Sequence, residues 1–206
     1  MELLIATGNP GKVREYDELL AGLPITCISP ADLGIHLEVD EGGTTYEENA
    51  TLKAVAFARA SGRVTLADDS GLEVDALGGR PGVHSARYGG PGLDDADRWR
   101  SLLEELGDVP WERRTARFRC VIAVASPDGE VNTVNGTCEG VIAFGAAGDS
   151  GFGYDPVFYL PDRRCTMAQL PAGAKNQISH RGRAAQAARP ILLKLAAQTA
   201  DPENAP

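Results

Sequence analysis

Two hydrophobic periods take turns along this chain, and their interleaving confines it to a fold in which helices pack on a sheet. Glu2 to Thr7 is apolar almost throughout, as a buried strand is. Gly8-Asn9-Pro10-Gly11-Lys12 then turns into a helix with Val13, Tyr16, Leu19 and Leu20 on one face, Asn9 as its N-cap and Pro10 at its first position. Gly22 and Pro24 end that helix, and Ile25 to Ser29 reads as a second short strand. Thr45-Tyr46-Glu47-Glu48 has the spacing of a capping box and opens a second helix that runs through Leu52, Val55 and Phe57 to Gly62. Val64, Leu66 and Ala67 form a strand that Gly71 is expected to break, which puts Asp68, Asp69 and Ser70 at a strand end.

Beyond that point Leu72 to Ala76 alternates like an edge strand, and Gly78 to Gly92 is a glycine-rich loop holding Arg80, His84 and Arg87. Asp94 or Asp95 caps a third helix with Trp99, Leu102, Leu103 and Leu106 inward, ending at Gly107. Phe118 to Ala125 and Val131 to Cys138 flank the turn Pro127-Asp128-Gly129 as a hairpin, and Gly140 to Ala143 extends the sheet. Gly145 to Asp155 is a second glycine-rich loop. Ser179 caps a last helix bearing Ile191, Leu192 and Leu195, which Pro190 is expected to kink, and a frayed tail follows from about Thr199. Helices mixed with alternating and buried strands give an α/β class with a mixed sheet. With 206 residues and no internal repeat, residues 1–199 are expected to form one domain.

The formal charge of −9 disfavours a broad nucleic-acid surface, so an anionic ligand must be met by a few placed cations. Cys27, Cys120, Cys138 and Cys165 lie far apart without a C-x-x-C pair, which fits a reducing cytoplasm and suggests neither a zinc site nor a disulfide framework. No apolar run reaches the length of a membrane span, and the N-terminus lacks the pattern of a signal peptide.

Three groups of residues carry chemistry. The turn from Thr7 to Lys12 brings a hydroxyl, an amide, backbone N–H groups and an ammonium to a helix N-terminus, which suits a phosphate or is simply a good cap with a surface lysine. Its spacing is not that of a Walker A loop. Asp68 and Asp69 repel one another unless a cation lies between them, and carboxylate oxygens suit Mg²⁺; the other reading is a solvated acidic turn. Lys53 is the one charge between Ala50 and Ala58, with Glu41 and the two aspartates as acidic partners. Toward the C-terminus, Phe152 between two glycines is a plug under a loop or a stacking face for a planar ring. His180 and Arg181 at a helix start are either simply solvated or, because cations there oppose the helix dipole, ask for an anion or an acceptor.

Five stretches in this order resemble the inosine and xanthosine triphosphate pyrophosphatases. They are Thr7-Gly8-Asn9-x-Gly11-Lys12; Thr45-Tyr46-x-Glu48-Asn49-Ala50-x-Leu52-Lys53-Ala54; Ala67-Asp68-Asp69-Ser70-Gly71-Leu72 with Pro81-Gly82-Val83-x-Ser85-Ala86-Arg87-Tyr88; Gly151-Phe152-Gly153-Tyr154-Asp155-Pro156; and Ile178-Ser179-His180-Arg181-Gly182. One departure is Ala172-Gly173-Ala174 before Lys175, where the family commonly has acidic residues.

The resemblance implies an elongated α/β fold with a mixed twisted sheet flanked by helices, two lobes around a central nucleotide cleft, and a cytoplasmic homodimer. It implies Mg²⁺-dependent hydrolysis of ITP, dITP and XTP to the monophosphate and pyrophosphate. On this chain Thr7, Gly8, Asn9, Pro10, Gly11, Lys12 and Lys53 would hold the triphosphate, and Glu41 and Asp69 would hold Mg²⁺. Asp69 would also take the proton of the attacking water, with Asp68 tuning it. Phe152 would stack on the base, with Gly153, Tyr154, Asp155, Lys175, His180 and Arg181 around it and Ser70 touching the nucleotide. A non-catalytic nucleotide sensor would have no need of the paired carboxylates, and a pyrophosphatase for modified pyrimidine nucleotides is the third reading.

Overall fold

The computed structural model describes residues 1–200, so the tail from 201 to 206 lies outside the described residues. In chain order the elements are β1 (Glu2–Ile5), α1 (Pro10–Leu19), β2 (Thr26–Ile28), α2 (Tyr46–Ser61), β3 (Thr65–Val74), α3 (Asp95–Leu106), β4 (Thr115–Ala125), β5 (Val131–Ile142), β6 (Phe158–Leu160), β7 (Cys165–Thr166), α4 (Ala172–Ile178) and α5 (His180–Ala200). The strands form one sheet in the order β2-β1-β3-β4-β5-β6-β7. β1 pairs in parallel with both β2 and β3, whereas β6 pairs antiparallel with β5 and β7, so the sheet is mixed.

The helix boundaries follow from local chemistry. Asn9 accepts a hydrogen bond from the Gly11 N–H and caps α1. At α2 the capping box is complete, with Glu48 N–H bonded to the Thr45 hydroxyl and Glu48 reaching back to the Thr45 N–H, and Gly62 at φ 64° closes the other end. Asp94 caps α3, leaving Asp95 as the first helical residue.

Three expectations change. Gly71 does not break the strand: β3 runs through it to Val74, and Leu72 to Ala76 is no separate edge strand, since β3 lies between β1 and β4. A glycine survives there because sheet pairing, rather than a side chain, holds a central strand. Asp68 and Asp69 therefore sit in mid-strand. The segment before Ser179, to which the sequence assigned no element, is helical as α4, Ala172-Gly173-Ala174 forming its first residues, and α5 runs to Ala200. β6 and β7, of three and two residues, are too short to leave a period in the sequence.

The chain divides into two compact units. The first comprises Met1–Asp69, Cys120–Gly136 and the segment from Gly182 on; its core joins Leu3, Ile5, Tyr16, Leu66, Ile122 and Leu192. The second comprises Ser70–Arg119 and Thr137–Arg181, with a core built on Leu72, Leu102, Phe118, Tyr154, Phe158 and Met167.

Connectivity in the first unit dictates where a ligand can bind. From β1 the chain crosses by α1 to β2 on one side, then returns by α2 to β3 on the other. Where two crossovers leave in opposite directions, a crevice opens at the carboxyl ends of the strands. That end of β1 carries the turn from Thr7 to Lys12.

Candidate active site

Lys12 and Asp68 meet beyond the end of β1. The last paired residues of the two strands are Ile5 and Leu66, and β3 continues past them, so Asp68 stands beside the turn that follows β1. The Lys12 ammonium donates to Asp68 Oδ1 at 2.9 Å, and the Cys120 thiol lies 3.9 Å from Oδ2. Within the turn, the Thr7 hydroxyl accepts from the Asn9 N–H at 3.1 Å, and Asn9 Oδ1 accepts from the Gly11 N–H at 2.8 Å. A Cβ on Gly11 would lie 3.0 Å from Asn9 Oδ1, so a larger residue there would press on the cap. A cavity of about 760 Å³ opens beside Thr7 and Gly8, lined also by Arg14, Ser29 and His36.

Asp69 has its own partner. Successive side chains of a strand point to opposite faces, so Asp68 and Asp69 need no shared cation to keep them apart. Asp69 Oδ2 accepts from the Asn49 amide at 3.0 Å, and Asn49 Oδ1 in turn accepts from the Gly43 N–H at 2.9 Å. Gly43 must be glycine here, because a Cβ would fall 2.6 Å from Asn49 Oδ1. One turn along α2, Lys53 pairs with Glu41 at 3.1 Å. Burial raises the Asp69 carboxyl above the ordinary aspartate range, the Asn49 hydrogen bond and Lys53 oppose that shift, and the Glu41 charge adds to it. Asn49, fully buried, is the residue that sequence reasoning left out of the site; its place four residues before Lys53 on the same helix face was the available signal. Among the described residues no group of three or more His, Cys, Asp or Glu side chains is arranged as a metal cage.

The second unit assembles the other predicted residues. Asp155 Oδ2 accepts from the Lys175 ammonium at 2.7 Å and from the Phe152 N–H at 3.0 Å. A Cβ on Gly151, whose φ is +82°, would lie 2.1 Å from that same oxygen, so the close approach excludes every residue but glycine. Lys175 Nζ and the Arg181 guanidinium stand 4.7 and 5.4 Å from the centroid of the Phe152 ring. Phe152 keeps 37% of its surface exposed, so it is not buried as a plug under the loop. Arg181 donates to the Ser70 hydroxyl at 3.0 Å, and His180 stacks on Phe118 with centroids 4.7 Å apart and planes 15° from parallel. Gly153 gives its N–H to Asp95 at 2.8 Å. Tyr154 is buried, with its hydroxyl donating to the Ser85 carbonyl at 2.8 Å, and burial pushes the phenol up, so it stays a donor.

Residues 3–191 match the Ham1 family. The chain belongs to that family. It is 50% identical over 195 residues to the dITP/XTP pyrophosphatase of Desulforamulus reducens, covering 95% of this chain and 97% of the relative. It is 54% identical over 183 residues to the dITP/XTP pyrophosphatase of Geobacillus kaustophilus, covering 89% and 90%. The structure of the Staphylococcus aureus Ham1 protein is similar, with a TM-score of 0.85 at 42% identity, covering 95% of this chain and all of that one. The five stretches that carry the resemblance therefore lie on a Ham1 fold, with Lys12, Asn49, Lys53, Asp68 and Asp69 in the first unit and Phe152, Asp155, Lys175 and Arg181 in the second.

Proposed function

We propose that this Ham1 chain hydrolyses dITP, ITP and XTP to the monophosphate and pyrophosphate, with the Lys12–Asp69 cluster taking the triphosphate and the Phe152 cluster taking the base. The enzyme class, nucleoside triphosphate pyrophosphatase, is the one its half-identical relatives carry in their names. The arrangement on β3 is the observation that carries the reading: one carboxylate holds a lysine at a helix N-terminus, and the next is buried and oriented by an amide. A sensor needs no such carboxylate, whereas a general base gains from burial that lifts its pKa toward the working pH.

Thr7, Gly8, Asn9, Pro10, Gly11 and Lys12 surround the phosphates at the start of α1, where the Thr7 hydroxyl and the Lys12 ammonium donate to them while the Asn9 and Gly11 N–H groups hold the turn in shape. Asp68 acts through Lys12, keeping its ammonium at the turn. Asp69 takes a proton from the water that attacks the α-phosphorus, the bond from that phosphorus to the bridging oxygen breaks, and pyrophosphate leaves with Lys53 close to its charge. Asn49 holds the Asp69 carboxylate in one orientation for this step. Glu41 and Asp69 would hold Mg²⁺ through their carboxylate oxygens, the hard donors that this ion takes. Bound there, Mg²⁺ supplies charge neutralisation on the triphosphate and on the departing pyrophosphate.

The base is read in the second unit. Phe152 offers its open ring for stacking, while Asp155, Lys175, His180 and Arg181 present charged and polar atoms around it, with Ser70, Gly153 and Tyr154 shaping the surround. A homodimer in the cytoplasm, with the domain organised as two lobes, belongs to the same proposal; four free thiols fit a reducing compartment. Among the described residues no helix is long and apolar enough to cross a membrane.

Release of pyrophosphate from ITP, dITP, XTP, ATP, GTP and a modified pyrimidine triphosphate, with Mg²⁺ and after exhaustive EDTA treatment, tests the reading. Turnover confined to the first three and dependent on Mg²⁺, with Ca²⁺ a poor substitute, is expected. Full activity without metal, orthophosphate as product, or preference for the pyrimidine would overturn it.

A further inference from the structure

We infer that Asp95, the first residue of α3, is a positioning residue for base recognition: its carboxylate fixes the loop that presents Phe152. The inference rests on the proposed role of Phe152 as the stacking face. Phe152 and Gly153 each give a backbone N–H to a carboxylate, the first to Asp155 Oδ2 at 3.0 Å and the second to Asp95 Oδ2 at 2.8 Å. Two successive amides, one on each side of the Phe152 Cα, are thereby clamped. Clamping matters because Gly151 and Gly153 lie at φ +82° and +62°, in a conformation glycine adopts freely and with no side chain of its own to anchor it.

The two clamps differ in reach. Asp155 is three residues from Phe152, so its bond shapes the turn from within. Asp95 is 58 residues from Gly153 in sequence, so its bond ties the turn to a separate helix. Asp95 is free for that task because Asp94 supplies the helix cap, accepting from the Asp97 N–H at 2.8 Å. Its other oxygen pairs with Arg98 at 3.2 Å, which holds the carboxylate in one rotamer. At 53% exposure, the Asp95 side chain contributes little to global stability. What it governs is direction: a stacking ring that drifts from the bound geometry loses the contact it makes with substrate.

Steady-state kinetics with ITP on Asp95→Ala, Asp95→Asn, Phe152→Ala and the Asp95→Ala/Phe152→Ala pair decide the matter. Asp95→Ala should raise KM about tenfold with kcat within about twofold, the pattern of lost binding rather than lost chemistry. Asp95→Asn keeps an acceptor oxygen for the Gly153 N–H and should restore most of the affinity. On top of Phe152→Ala, Asp95→Ala should add nothing, since the ring it aims is gone. An Asp95→Ala enzyme with unchanged KM, or an equal effect with and without Phe152, overturns the inference while leaving the stacking role intact. Should Phe152→Ala itself leave KM for ITP unchanged, the stacking role fails and the inference falls with it.

Discussion

Removing the Asp155 carboxylate while the Lys175 ammonium stays in place probes how the aromatic cluster is held. The two side chains are only 4% and 9% exposed, and their nitrogen and oxygen are 2.7 Å apart. In Asp155→Ala the buried ammonium loses this carboxylate, and the Phe152 N–H loses its acceptor. Breaking a buried pair from one side costs roughly 3–5 kcal/mol, mostly for the stranded charge. The orphaned amide is more exposed and adds about 1 kcal/mol at most. In Asp155→Ala/Lys175→Met no charge is stranded, so the cost should shrink to about 1–2 kcal/mol for the amide and imperfect packing. For a chain of this length each kcal/mol moves Tm by about 2–4 °C, so the single variant should melt roughly 10 °C below the parent and the double variant only about 4 °C below. Urea unfolding followed by circular dichroism supplies the free energies, and the comparison of single and double variants isolates the pair. A double variant as unstable as Asp155→Ala would refute the stranded-charge explanation and make the loss one of packing.

Asp69→Asn should lower kcat by at least about a hundredfold while ITP still binds by calorimetry, because the amide keeps the shape and loses the basicity; retention of more than a tenth of the rate would remove Asp69 from the chemistry. The same variant carries a stability signature in metal-free protein. Burial holds the Asp69 pKa above its unfolded value, so ionising it costs stability as pH rises through that raised pKa, and no cost exists below the ordinary aspartate range. Asp69→Asn should therefore be the more stable protein at neutral pH, with the difference vanishing in acid; a constant difference across pH would contradict the burial argument. Arg181→Ala should cut kcat/KM for ITP far more than for ATP, since hypoxanthine presents O6 as an acceptor where adenine presents a donor. The ITP to ATP ratio is internal to each preparation, and an unchanged ratio would show that Arg181 does not read the base.

What the sequence by itself determined lies within a few residues' reach. Asn9 before Pro10, the Thr45 and Glu48 box, and Gly62 and Gly107 after their helices each place a terminus through a bond to the neighbouring backbone, while the start of the third helix was narrowed to Asp94 or Asp95. The mixed α/β class was legible for the same reason, because period and turn chemistry are local. The order of the five stretches also brought the candidate site residues into view, through the family resemblance that those stretches carry.

Only the tertiary structure decided where those residues lie and what they touch. Gly71 read as a breaker because propensity is averaged over contexts, yet a strand with neighbours on both sides keeps its ladder without a side chain. Asp68 and Asp69 read as a repelling pair because adjacency in sequence hides the pleat; in the sheet they part to opposite faces, one to Lys12 and one to Asn49. Asn49 and Asp95 drew little notice as parts of the site because a lone amide or a helix-start aspartate is ordinary until folding brings Asp69 and Gly153 to them from 20 and 58 residues away. A partner at that distance leaves no mark on the local pattern: the hydrogen bond exists only once the chain has closed the loop between them, and loop closure is a property of the whole fold.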